Sequence, residues 1–154
     1  NLHDQRTIFS VGDNPASISF LAPSEEESRQ ITEGRKITMS VISSMYMALT
    51  QLIPNQIGRY TDEFYPTATG DNFQKLGYNT ILIESGHYPN DYNREASRKY
   101  TFYSLLQGIF HIANSSNFND YEAYFTIPNN DKIFYDVIHR YPDSKNDKAY
   151  QYED

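Results

Sequence analysis

The residues of this chain best able to do chemistry stand in two short stretches, Asn1-Leu2-His3-Asp4-Gln5-Arg6 and Thr80-Ile81-Leu82-Ile83-Glu84-Ser85-Gly86-His87. In the second, three aliphatic residues run straight into a carboxylate and a Ser-Gly break follows. A continuous apolar run of this kind reads as a strand buried on both faces. Working residues of open α/β sheets sit just beyond the carboxyl ends of such strands, where a partly desolvated acid makes a useful general base. Glu84 could equally do no more than cap a turn. In the first stretch His3 stands at the mouth of a strand beside Asp4, Gln5 and Arg6. That polar crowd argues against a core imidazole and for a metal ligand or an acid/base.

The other histidines are weaker candidates. His87, three residues past Glu84, suits the rim of a site; His111 lies in an apolar helix and reads as structural; His139 reads as exposed. Without cysteine, disulfides and thiolate zinc sites are excluded, leaving His, Asp and Glu as metal ligands.

The elements that must position these groups follow the order strand, helix, strand, helix, which is that of an α/β sheet. Residues 7–23 read as two extended pieces around a Gly12-Asp13-Asn14-Pro15 turn. Ser24 with Glu27 forms a capping box, predicting a helix from there to about Leu52 before Pro54. Its inner face would carry Ile42, Met45, Leu49 and Leu52 with Val41 and Ala48, and Met39, Met45 and Met47 read as core filler. Residues 57–61 suggest a short strand and 63–70 a loop. Asp71 with Gln74 is a second capping pattern and Gly77 a C′ residue, predicting a helix at 72–76. A strand at 79–84 and a helix at about 94–114 follow, the latter burying Tyr103, Leu106, Ile109, Phe110 and Ala113. Residues 133–138 could form a last strand.

The length, 154 residues, allows one domain with a sizeable core. A net charge of −7 and no long basic run make nucleic acid and anionic membrane poor partners. No leader and no bilayer-spanning apolar run are visible, which favours a cytoplasmic location. The chain opens without Met, so the expectation is a piece of a larger domain, residues 1–142, with a poorly packed tail at 143–154.

The two opening stretches, Asn1-Leu2-His3-Asp4-Gln5-Arg6-Thr7-Ile8-Phe9 and Thr80 through Asp91, in that order and at that separation, resemble the second half of a zinc carboxypeptidase domain of the M14 type, in its bacterial carboxypeptidase-like branch. The resemblance implies an α/β fold with a mixed, mostly parallel sheet flanked by helices (phosphorylase/hydrolase-like). It implies Zn2+ as cofactor, His3 as one zinc ligand, and Glu84 as the base on the zinc-bound water. Tyr65 is the nearest match to a tyrosine the family places in the loop before the general-base strand. Gln5 and Arg6 would contact substrate, or Arg6 would pair with an acid; His87 would stand near them. The family's H-x-x-E ligand pair has no counterpart, because His3, His87, His111 and His139 are followed three residues on by Arg6, Asn90, Asn114 and Pro142. By itself the chain should therefore hold zinc poorly and be inactive.

The substrate implied is a C-terminal peptide bond. Arg6 also permits an N-acyl amino acid, as in the related desuccinylases and aspartoacylases. A different class stays open beside both: a non-catalytic binding module whose 14 Tyr and 9 Phe recognise a partner. Truncation should leave an apolar face uncovered, so self-association is expected.

Overall fold

Gly12 and Asp13 turn the chain back on itself between β1 (Ser10–Val11) and β2 (Asn14–Pro15), which pair antiparallel. Gly12 has the left-handed φ of 56° that a tight hairpin turn asks for and a Cβ resists. This computed structural model describes residues 9–135, together with the backbone of residues 137–139 and 148–150. β3 (Ile18–Leu21) follows at once, so the two extended pieces expected around the turn are present.

β3 is the middle strand of a three-stranded mixed sheet. β4 (Ile57–Arg59) runs parallel to it on one side and β5 (Leu82–Ser85) antiparallel on the other. The architecture is α/β, a small mixed sheet flanked by helices; where a mostly parallel sheet was expected, one pairing is of each kind. Residues 60–81 between β4 and β5 hold a single short helix, α2 (Thr69–Lys75).

Register sorts the side chains. Ile18, Phe20, Ile57 and Ile83 share one face, and Ser19, Leu21, Gly58, Leu82 and Glu84 share the other. The core helices pack on the first face, and on the second the short α2 borders Leu21, Leu82 and Glu84. The expected strand buried on both faces is corrected: Leu82, Ile83 and Glu84 are only half-buried, and among the described strands β5 pairs with β3 alone.

α1 (Glu33–Thr50) packs Met39, Ile42, Met45 and Leu49 against Ile18, Phe20 and Ile57, as the spacing required. Leu52 and Met47, expected inside, are exposed; Leu52 lies beyond the helix end. The helix also starts later than the Ser24 box predicted. Ser24 spends its hydroxyl on the Asp62 carbonyl, 2.6 Å away. Arg29 takes a left-handed φ of 55°. The fully buried Arg35 then collects the carbonyls of Arg29 and Gln30, which a helix would have given to amides four residues on. Thr32 is the actual N-cap, accepting the Arg35 amide at 3.2 Å.

α2 likewise begins before its predicted cap. Asp71 stands inside the helix, and its carboxylate accepts the Tyr65 amide at 2.6 Å. Gln74 is turned to Glu25 and to the Thr80 amide. Gly77 does close the helix: the Gly77 and Tyr78 amides return to the carbonyls of Gln74 and Phe73, a Schellman ending.

α3 (Glu95–Asn114) occupies its expected span but shows the opposite face. Tyr103, Leu106, Ile109, Phe110 and Ala113 are exposed; Ser97, Ser104 and Gly108 are buried. Small residues win because the approach is close. A Cβ at Gly108 would meet the end of Met45, and Ser85 on β5 bonds Thr101. Ser40–His111 at 3.2 Å and Ser44–Gln107 at 2.9 Å complete a polar seam with α1, which makes His111 structural as expected. A 3₁₀ helix (Asp120–Thr126) closes the core with Tyr124. The strand expected at 133–138 is present only toward its end: residues 133–135 are not strand, and β6 (Val137–His139) pairs antiparallel with β7 (Lys148–Tyr150). Among the described residues no helix is long and apolar enough to cross a membrane.

Candidate active site on the open face of the sheet

Glu84 leaves β5 on the face opposite the core helices, where the short α2 borders it. Across from it, the chain exits β4 at Tyr60, whose amide bonds the Phe20 carbonyl at 3.0 Å, so the phenol projects over the middle strand. Tyr60 donates its O–H to Glu84 Oε2 at 2.8 Å. Burial first, then the hydrogen bond and charge of Glu84, push this phenol well above its ordinary value of 10.0; contact with Ser19 offsets only part. Tyr60 is therefore a fixed donor at any working pH, and it orients the carboxylate.

The pair opens on a pocket of about 410 Å³ whose walls include Leu21, Pro23, Tyr65, Gly70, Asp71 and Leu82. Two predicted residues, Glu84 and Tyr65, thus share one cavity. Tyr65 is more than half exposed and donates to Glu63 at 3.0 Å; that bond raises its phenol above the ordinary value. Its position is held from behind by Asp71, which is buried and takes the Tyr65 amide.

The Ser-Gly break after Glu84 has a packing cause. Gly86 donates to the Ser17 carbonyl at 2.8 Å, and a Cβ there would collide with the Ala16 carbonyl oxygen. The chain then turns toward α3, where Arg94 reaches back to the Ser85 carbonyl at 2.9 Å. Asp91 accepts the Ala96 and Ser97 amides at 3.1 and 2.9 Å and so caps α3. Burial works against the Asp91 charge, but these donors outweigh it and hold the carboxyl below its ordinary value.

His87 lies just past this turn. Its carbonyl accepts from Ser17, and its side chain is not among the residues lining the Glu84 pocket. Burial, helped by the charge of Arg94 and opposed by Asp91, lowers its imidazole below 6.5. His3, Gln5 and Arg6 lie outside the described residues.

Three participants escaped the sequence reading: Tyr60, Ser19 and Asp71. Tyr60 was open to the same rule that picked out Glu84, since it too stands at the carboxyl end of a strand, Ile57-Gly58-Arg59. Ser19 faces Glu84 only through strand register, and Asp71 reaches Tyr65 only through a loop, so neither carries a local signal.

Zinc was implied at this site. Among the described residues, no group of three or more His, Asp or Glu side chains is gathered as a metal site. Tyr60 donates to the Glu84 carboxylate, an arrangement suited to handling a proton.

No protein-family model matches the chain. Comparison with curated proteins finds no match, and no solved structure matches either.

Proposed function

We propose that this chain is part of a zinc-dependent hydrolase of C-terminal peptide bonds, of the carboxypeptidase type, in which Glu84 takes up the proton of the attacking water. The observation that carries the reading is the Tyr60–Glu84 pair on a half-open pocket at the exit of β5. A carboxylate fixed by a neutral donor, partly desolvated and facing a cavity, is the equipment of a general base. Tyr65 on the far wall would bound the substrate. In the full-length protein, zinc held by His3 and further ligands would acidify water and polarise the scissile carbonyl.

The role of this chain's own residues is narrower. Tyr60 keeps Glu84 in one orientation, Leu21 and Leu82 keep the pocket wall apolar, and Gly86 lets the strand exit pass close under Ala16. A non-catalytic binding piece is the second reading, favoured by the apolar outer face of α3. Incubating the zinc-loaded full-length protein with a peptide, its C-terminal amide and an N-acyl amino acid separates the readings. The proposal expects cleavage of the free peptide alone; cleavage of the acyl amino acid instead reassigns the substrate, and cleavage of none supports the binding piece.

A further inference from the structure

From Tyr100 to Asn114, α3 carries no Asp, Glu, Lys or Arg. Its small residues Ser97, Ser104 and Gly108 are turned to the core. On the opposite side of the helix stand Phe102, Leu106 and Ile109, 54 to 65% exposed, with Tyr103 and Phe110 beside them. Apolar surface this continuous is rare on a chain that stands alone. We propose that α3 is the contact of a homodimer, packing antiparallel on α3 of a second copy about a twofold axis near Leu106. The proposal does not rest on the hydrolase reading.

Spacing identifies a helix as the occupant. Lys99, Leu106 and Ala113 recur at every seventh position, and Phe102 and Ile109 follow the first two by three. That is the repeat of helices packed side by side. The stripe is also its own complement. Reversed about Leu106, Phe102 falls beside Ile109 and Phe110 of the second copy, and the long Lys99 beside the small Ala113. A twofold interface demands such self-complementarity of a surface, whereas a foreign partner does not.

Charge sets the direction. Arg98 is paired with Glu95 on its own helix, so Lys99 is the charge the seam must place. Its ammonium lies 5.8 Å from the centroids of both the Tyr100 and the Tyr103 rings, within the seam's N-terminal half. A parallel pair would set the Lys99 side chains of the two copies against each other. In an antiparallel pair each reaches the last turn of the opposing helix, where carbonyls without intrahelical amides favour a cation. His111, the basic residue of that turn, is directed inward to Ser40 at 3.2 Å and does not compete. Ala113, exposed and short, leaves Lys99 room to approach. A lipid surface fits less well, because α3 turns its polar side to the core and the chain carries a net charge of −7.

The chain has no cysteine, so single-cysteine variants report the geometry without background. Lys99→Cys, Leu106→Cys and Ala113→Cys each change an exposed side chain, and circular dichroism should show the wild-type fold for all three. Treated with a short bismaleimide, an equimolar mixture of Lys99→Cys and Ala113→Cys should give about tenfold more cross-linked dimer than either variant alone. Leu106→Cys should cross-link to itself, and Asp13→Cys, in the exposed hairpin turn, should not. Positions 99 and 113 are about 21 Å apart along one helix, out of the linker's reach in a parallel pair. Lys99→Cys cross-linking to itself more than in the mixture means a parallel pair and overturns the proposal. Yields in all variants no higher than in Asp13→Cys overturn the contact itself, and flotation of the chain with neutral lipid vesicles would then give α3 to a membrane instead.

Discussion

Tyr60 and Glu84 are 24 positions apart and leave different edges of the sheet, yet the phenol of one donates to the carboxylate of the other at 2.8 Å. β3 makes this possible. Pairing of Phe20 with Arg59 brings the β4 exit alongside, and pairing of Ser19 with Glu84 sets the carboxylate on the same open face. The contact depends on a parallel and an antiparallel neighbour meeting across one central strand.

Tyr60→Phe keeps the ring and deletes the donor. A hydrogen bond to a charged group contributes about 1.5–3 kcal/mol when buried, and partial exposure of this pair lowers the expectation to about 1–2 kcal/mol. Urea unfolding should show that loss, with hydrolysis by the full-length variant reduced more than substrate binding. An unchanged midpoint means the contact is not formed in solution.

Gly86→Ala should be among the most damaging small changes in the chain. The new methyl meets a backbone carbonyl, Ala16, which has no rotamer to escape into. Overpacking of this kind costs about 1–3 kcal/mol or more. Gly108→Ala meets the end of the Met45 side chain, which can give way, and should cost less. Thermal melts of the two variants compare them directly, and the reverse order contradicts the account.

The pH dependence near neutrality should come from His87. Its imidazole is lowered from 6.5 by burial and by Arg94, so the unfolded chain takes up the proton first. Stability is therefore complete above 6.5 and declines as pH falls from there toward the lower folded-state value. Asp62, also lowered, keeps its contribution down to the ordinary carboxyl range near 3.8 and loses it below. Denaturant midpoints at pH 7.5 and 5.5 should differ in wild type and converge in His87→Gln; an unaltered difference would place the proton elsewhere.

Self-association should proceed through α3. Phe102, Tyr103, Leu106, Ile109 and Phe110 are 39 to 65% exposed along one side. A second copy is the proposed occupant, because antiparallel pairing sets Arg98 and Lys99 against the negative C-terminal end of the opposing helix. At roughly 200 Å² per side chain the stripe offers about 550 Å² per copy, short of the roughly 800 Å² typical of stable interfaces. A weak dimer, visible by sedimentation only at high concentration, is expected, and Leu106→Lys with Ile109→Lys should abolish it. Sedimentation of wild type as a monomer throughout refutes it.

Local pattern carried much of this fold. The aliphatic run into Glu84 marks a strand, and Ile42, Met45 and Leu49 mark the inner face of α1, because burial on one side imposes its period on the sequence. What failed was tertiary. The apolar stripe of α3 outranks Ser97, Ser104 and Gly108 on any hydrophobic scale, yet close approach to Met45 and β5 selected the small residues. The Ser24 capping box was locally sound and lost to the Asp62 carbonyl, 38 residues on, and to the Arg35 side chain, which takes the Arg29 and Gln30 carbonyls. Tyr60 joined Glu84 through strand order, which no single stretch of the chain expresses.

The central claim is that Glu84 is the proton acceptor of a zinc-dependent hydrolysis, and it is tested most directly by comparing the full-length protein with its Glu84→Gln variant for zinc content and release of C-terminal residues. The account predicts equal zinc in both and a fall in kcat of at least a hundredfold in the variant. Undiminished hydrolysis by Glu84→Gln, or no zinc in the wild type, would contradict it.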